Sequence, residues 1–157
     1  MLSTCDSRIA LVVDVPPQLP ALFQNPADLH QVVLNLLMNA RDTLHEKLER
    51  NATAEATVTV RVEPLTTSGR VPAGGQRLSV SDTGMGMPRD VLERIFEPFF
   101  STKEVGRGTG LGLATVWHLV QGFGGRVDVD STPGVGTTFR VDLPRQAPPT
   151  EPPANPS

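Results

Sequence analysis

The sequence is poor in the residues that mark several functional classes. It has one cysteine, one tryptophan, no tyrosine and only 4% aromatic residues. A single thiol, Cys5, excludes an intrachain disulfide and a cysteine-rich metal site, and is expected to be a passive group near the start of the chain. So few aromatics argue against a base-stacking platform for single strands. Positive charge is not in excess either: 14 Lys and Arg stand against 17 Asp and Glu, a net charge of −3. That leaves no electrostatic footprint for nucleic acid or for a membrane surface. No apolar run reaches the roughly 18 residues of a membrane span. The first residues lack a basic stretch followed by an apolar run, so a secretory leader is not expected. The expectation is a soluble cytoplasmic domain, or the cytoplasmic part of a larger parent.

What is present suits one α/β domain. At 157 residues and 38% hydrophobic content, the chain is long enough to bury a real core. Alternating or β-branched runs predict strands at Arg8–Val13, Thr57–Val62, Arg77–Ser81, Arg126–Asp130 and Thr137–Leu143. Asn25-Pro26 is a helix-start signal. A helical pattern then runs from Asp28 to about Arg50, with Val33, Leu36, Leu37, Ala40 and Leu44 as the expected buried face. A short helix is predicted over Pro88–Ile95, with Pro88 at its first position. A longer one covers Leu111–Gln121, with Trp117 expected inside and His118 at the surface. Pro64–Gln76 reads as a loop or hairpin tip. Residues 8–144 are expected to form the domain. The proline-rich 145–157 is expected to be a disordered tail or linker.

Two glycine clusters carry the chemistry. Asp82-Thr-Gly-Met-Gly86 follows the third predicted strand, where α/β sheets tend to collect ligands. Gly106-Arg-Gly-Thr-Gly-Leu-Gly112 opens the second long helix, where free amides and the helix dipole suit phosphate. Neither the Walker nor the Rossmann pattern is present. Between the clusters, Phe96, Phe99 and Phe100 are expected to pack and to anchor one end of a lid over Ser101–Gly110. In the first helix, Asn35, Asn39 and Asp42 fall at i, i+4 and i+7 and share a stripe. That stripe is either a solvated face or a set of amide oxygens placed for a hard cation and its phosphates.

In this order, Asn35-Leu-Leu-Met-Asn39-Ala40, Asp82-Thr-Gly-Met-Gly86, Phe96-Glu-Pro-Phe-Phe100 and Gly106–Gly112 resemble the N, G1, F and G2 boxes of a sensor histidine kinase. More broadly they resemble the ATP-binding superfamily shared with DNA gyrase and the large heat-shock chaperone. The run Phe-Glu-Pro-Phe-Phe-Ser-Thr-Lys, ending at Lys103, is similar to kinases of the nitrogen-regulation type. The resemblance implies a two-layer α/β sandwich, the Bergerat ATP-binding fold: a mixed five-stranded sheet with helices on one face. It implies ATP and Mg²⁺ as cofactors.

The same resemblance assigns roles. Asp82 would accept the adenine amine, assisted by Thr138, while Gly84 and Gly86 let the chain pass beneath the base. Asn39, with Asn35 beside it, would hold Mg²⁺. Asp42 and Phe99 would border the nucleotide. Gly108, Thr109, Gly110, Leu111 and Gly112 would wrap the phosphates, and Lys103 and Arg107 would neutralise the γ-phosphate. Asn35 stands where gyrase-like ATPases carry a glutamate base. An amide cannot take a proton, so hydrolysis is disfavoured and ATP is kept for transfer. Asp42 stands where many of these kinases have a lysine, which shifts charge neutralisation to the lid.

The phosphoacceptor is expected on a separate dimerisation domain, in cis or in trans, with a response regulator downstream. His45-Glu46 fits the acceptor pattern superficially but lies on the nucleotide-binding helix and cannot be presented to its own γ-phosphate. An excised or isolated catalytic domain, monomeric by itself, is therefore expected. The competing readings are a non-catalytic nucleotide-binding or docking module, a gyrase- or chaperone-like ATPase, and a serine kinase of the same superfamily.

Overall fold

The computed structural model describes residues 7–66, 74–100 and 111–146. Cys5, the proline-rich 147–157 and the candidate site residues Lys103, Arg107, Gly108, Thr109 and Gly110 lie outside them. Five strands form one mixed sheet: β1 (Ala10–Asp14), β2 (Thr57–Pro64), β3 (Gln76–Asp82), β4 (Arg126–Thr132) and β5 (Gly136–Leu143). Their order is β1-β2-β3-β5-β4. β1 pairs with β2 in parallel and the other pairs are antiparallel. Among the described residues three helices accompany the sheet: α1 (Pro26–Arg50), the short α2 (Arg89–Leu92) and α3 (Gly112–Gly122). This is the expected two-layer sandwich. Among the described residues no helix is long and apolar enough to cross a membrane.

α1 starts where its signals place it. The Asn25 side chain accepts from the Ala27 N–H at 2.9 Å, and Pro26 fills a first-turn position whose missing N–H has no partner to lose. At the other end the Asn51 N–H closes onto the Lys47 carbonyl. Its buried line is Val32, Leu36, Ala40, Leu44 and Leu48, a strict i, i+4 row. Val33 and Leu37, expected in the core, flank that row and are half-buried. α1 lies over β2 and β3 and packs against α3, whereas the β1 side chains are exposed.

Alternation decides the sheet faces. Leu78, Val80 and Asp82 of β3 point into the core, opposite Val141, Phe139 and Thr137 of β5. On the other face Arg77 grips Asp142 with two bonds, 2.6 Å from Nε to Oδ1 and 3.0 Å from Nη2 to Oδ2. Asp142 is only 1% exposed, and this partner raises the Arg77 pKa further above its ordinary value.

Two expected elements differ. The short helix closes after Leu92, because Arg94, Glu97 and Phe100 bond three residues back to Val91, Arg94 and Glu97 in successive turns. Pro88 precedes this helix as its cap residue rather than occupying its first position. Trp117 is 42% exposed, not interior. The buried line of α3 is Val116 and Val120, so the next residue round reaches the rim. There Trp117 lies 5.2 Å from the Phe96 ring, which in turn meets Phe139 edge-on at 6.4 Å. His118 is at the surface, as expected.

Candidate active site

The site is built around an acid at the end of an apolar row. Asp82 follows Leu78 and Val80 on the core face of β3 and is 7% exposed. A carboxylate there must be hydrogen-bonded to remain charged. Its Oδ1 accepts from the Gly84 N–H at 2.9 Å. Burial pushes the carboxyl up to about 6, opposed by the backbone N–H groups of Gly84 and Thr137 and by the charge of Lys47. The result is a fixed, costly acceptor at the carboxyl end of a strand.

The loop after Asp82 is held on three sides. The Thr83 hydroxyl accepts from the Thr57 N–H at 2.9 Å and donates to the Glu55 carbonyl at 3.3 Å. The β4–β5 turn docks onto the loop: the Gly134 N–H donates to the Met85 carbonyl at 2.7 Å, and the Met87 N–H to Ser131 Oγ at 2.8 Å. Two glycines are required by this packing. A Cβ at Gly84 would sit 2.7 Å from Asp82 Oδ1 and from Thr43. Gly86 has φ +69°, and a Cβ there would lie 2.1 Å from the Thr132 carbonyl oxygen.

α1 presents a second i, i+4 row toward this loop: Asn35, Asn39, Thr43 and Lys47. Asn35 links α1 to α3. Its carbonyl accepts from Gln31 at 2.7 Å, and its amide donates to the Gly112 carbonyl at the start of α3 at 3.1 Å. Asn39 is half-buried one turn on. Thr43 abuts Gly84, and Lys47 donates to the carbonyls of Glu55, at 2.9 Å, and of Thr83. Asp42, the third member of the expected stripe, lies off this row and pairs with the neighbouring Arg41 at 3.2 Å. Thr43 and Lys47 were not among the candidates, yet the period that linked Asn35 to Asn39 reaches both.

Thr138 and Phe99 are corrected by the structure. Thr138 stands opposite Ser81, with their hydroxyls 2.9 Å apart, on the sheet face away from Asp82. Thr137 is the residue paired with Asp82, and its hydroxyl lies 2.8 Å from Ser131. Phe99 does not pack: it is 76% exposed and holds the left-handed φ of +64°. Its neighbours do anchor this segment, Phe96 through Trp117 and Phe139, and Phe100 beneath the Arg94 guanidinium at 4.5 Å. Leu111 is exposed beside the first residue of α3. A Cβ at Gly112 would meet no described atom within 4 Å, so protein packing does not require that glycine.

The buried acceptor suits a base that carries an exocyclic amine. A buried carboxylate offers an acceptor for an exocyclic amine, and the adjacent glycine closes the chain down against it. Among the described residues no group of three or more His, Cys, Asp or Glu could hold a metal.

The profile of the histidine kinase-, DNA gyrase B-, and HSP90-like ATPase family matches residues 24–147. The sensor kinase CckA of Brucella abortus is 44% identical over 132 residues, covering 79% of this chain and 13% of CckA. The sensory histidine kinase/phosphatase NtrB of Rhodobacter capsulatus is 38% identical over 144 residues, covering 88% of this chain and 38% of NtrB. Full-length ShkA in complex with AMPPNP superposes with a TM-score of 0.68 at 30% identity, over 90% of this chain and 27% of ShkA. The chain thus spans well under half the length of these relatives.

Proposed function

Because the chain belongs to the family of histidine kinase-, DNA gyrase B-, and HSP90-like ATPases, and matches sensor histidine kinases within it, we propose that it binds Mg-ATP for phosphotransfer. The γ-phosphoryl passes to a histidine on a separate dimerisation domain, and from there to a response regulator. The observation that carries this reading is Asp82: a buried carboxylate fixed by the Gly84 N–H, with Thr43 of α1 packed close against Gly84. ShkA, which shares this fold, is a complex with AMPPNP. That supports ATP as the ligand here.

Each residue then has a defined task. Asp82 accepts the adenine amine, and a base lacking that donor leaves a buried carboxylate unmet. Gly84 and Gly86 hold the loop close under the base, and Thr137 braces it through Ser131. Asn39 would hold Mg²⁺ through its amide oxygen, and the ion would supply positive charge to the phosphates. Asn35 braces α1 against α3 through Gly112, and Asp42 borders the site paired with Arg41. Gly108, Thr109, Gly110, Leu111 and Gly112 present backbone N–H groups to the phosphates, with Lys103 and Arg107 for the γ-phosphate and Phe99 at the lid base. Catalysis is positioning and charge stabilisation, and the acceptor imidazole brings its own lone pair. Asn35 as an amide offers no base for water, which disfavours the gyrase-like ATPase.

The test is phosphotransfer. The 157-residue chain, γ-labelled ATP and Mg²⁺ are incubated with the histidine-bearing dimerisation domain of CckA. Acid-labile label on that domain, lost on removing Mg²⁺, is expected. Saturable ATP binding with no label on CckA, on NtrB or on any other supplied dimerisation domain would favour the binding module. Rapid acceptor-independent phosphate release would favour the ATPase.

A further inference from the structure

We propose that Lys47 is a positioning residue for base selection: its ammonium holds the carbonyls of Glu55 and Thr83 and so aims the Asp82 carboxylate at an adenine amine. This rests on the nucleotide reading of Asp82 above. Thr83 is the single residue between Asp82 and Gly84, the residue whose N–H bonds the Asp82 carboxylate. A bond from Lys47 to the Thr83 carbonyl therefore anchors the peptide joining the acid to its own donor. The second bond, 2.9 Å to the Glu55 carbonyl, ties the same ammonium to the segment leading into β2. The Thr83 hydroxyl meets that segment as well, at the Thr57 N–H and the Glu55 carbonyl.

Lys47 is half-buried and gives up rotamer freedom to make two backbone bonds. Salt-bridge formation does not explain it, because both acceptors are carbonyls. Placement in the last turn of α1 is favourable for any cation, but that does not require the side chain to reach Thr83. Its charge also opposes the upward push of burial on Asp82. The other groups facing the carboxyl are the backbone N–H of Gly84 in the loop and of Thr137 on β5.

The test compares Mg-ATP with Mg-purine riboside triphosphate, which lacks the exocyclic amine, on the full chain at pH 7.5. The wild type should prefer ATP by about 10- to 100-fold. In Lys47→Met that preference should shrink by about fivefold or more, and Lys47→Arg should restore most of it. A folded Lys47→Met that loses both ligands in equal proportion, with the preference intact, overturns the proposal and leaves Lys47 as a general strut. A wild type with no preference sinks the adenine reading itself, and the inference with it. A readout that needs no variant and no nucleotide is the ¹⁵N resonance of Lys47 Nζ. Exchange protection and a cross-hydrogen-bond coupling to the Thr83 carbonyl are expected. A solvent-averaged Nζ signal would overturn the proposal even if Lys47→Met fails to fold.

Discussion

Replacing Asp82 by Asn should change stability by an amount that depends on pH. Burial lifts the folded carboxyl from 3.8 to about 6, while the unfolded chain keeps the ordinary value. Between those pH values the native state holds a proton that the unfolded state has released. The contribution of Asp82 to stability therefore falls as pH rises from about 4 to about 6 and is level above that. At roughly 1.4 kcal/mol per tenfold in proton affinity, the loss is about 3 kcal/mol. Asn carries no charge and has no such slope. It does have an amide that must face either the Gly84 or the Thr137 N–H with a donor of its own, a mismatch costing about 1–3 kcal/mol. At pH 4 the variant should be the less stable protein by that amount. By pH 7.5 the relief of the buried charge should close the gap or reverse it. Urea unfolding of both proteins at half-unit steps from pH 4 to 8 measures the difference, in which all other titrations cancel. A difference that stays flat from pH 4 to 7 would refute the account of Asp82 as a buried, ionised acid held against its own desolvation.

Three further outcomes follow from the geometry. Thr137→Val removes the hydroxyl link to Ser131 and should weaken Mg-ATP by about 5- to 10-fold. Thr138→Val, on the opposite face, should leave affinity within about twofold, and calorimetry separates the pair. Gly86→Ala drives a Cβ into the Thr132 carbonyl at 2.1 Å in a left-handed backbone. It should lose about 1–3 kcal/mol in denaturant unfolding and undock the β4–β5 turn, seen as lost exchange protection at the Gly134 and Met87 amides. Arg77→Met removes both guanidinium bonds to the buried Asp142 carboxylate and should cost about 1–3 kcal/mol in the same assay. Its folded fraction should bind nucleotide normally, because the pair lies on the face away from Asp82.

The elements were legible wherever a period ran long enough. The alternation of Thr57–Val62 and the capped, four-residue period of α1 are local signals, and the structure follows them. The burial of Asp82 was legible because it continues the alternation of Leu78 and Val80 on the core face of β3, whereas its role toward a base came from the resemblance. The errors are errors of phase. Thr138 in place of Thr137 is a one-residue slip, and with a period of two that slip moves a side chain through the sheet. Only the Asp82–Thr137 pairing, set by where the β4–β5 turn closes, fixes that phase. Choosing Asp42 over Thr43 followed i+7 where the loop-facing row keeps to i+4. That choice also hid Lys47. Trp117 and Phe99 were read by composition, which favours burial for aromatics, whereas their place is set by neighbours. Val116 and Val120 take the buried line of α3 and leave Trp117 the rim. The turns after α2 carry Phe99 outward.

The central claim is that Asp82 selects an adenine nucleotide, and the most direct measurement is calorimetric titration of Mg-ATP into the wild type and into Asp82→Asn at pH 7.5. Saturable binding of one nucleotide per chain is expected for the wild type. The variant, folded by circular dichroism, should lose about 10-fold or more in affinity. A wild type that does not bind, or a variant that binds equally well, would contradict the account.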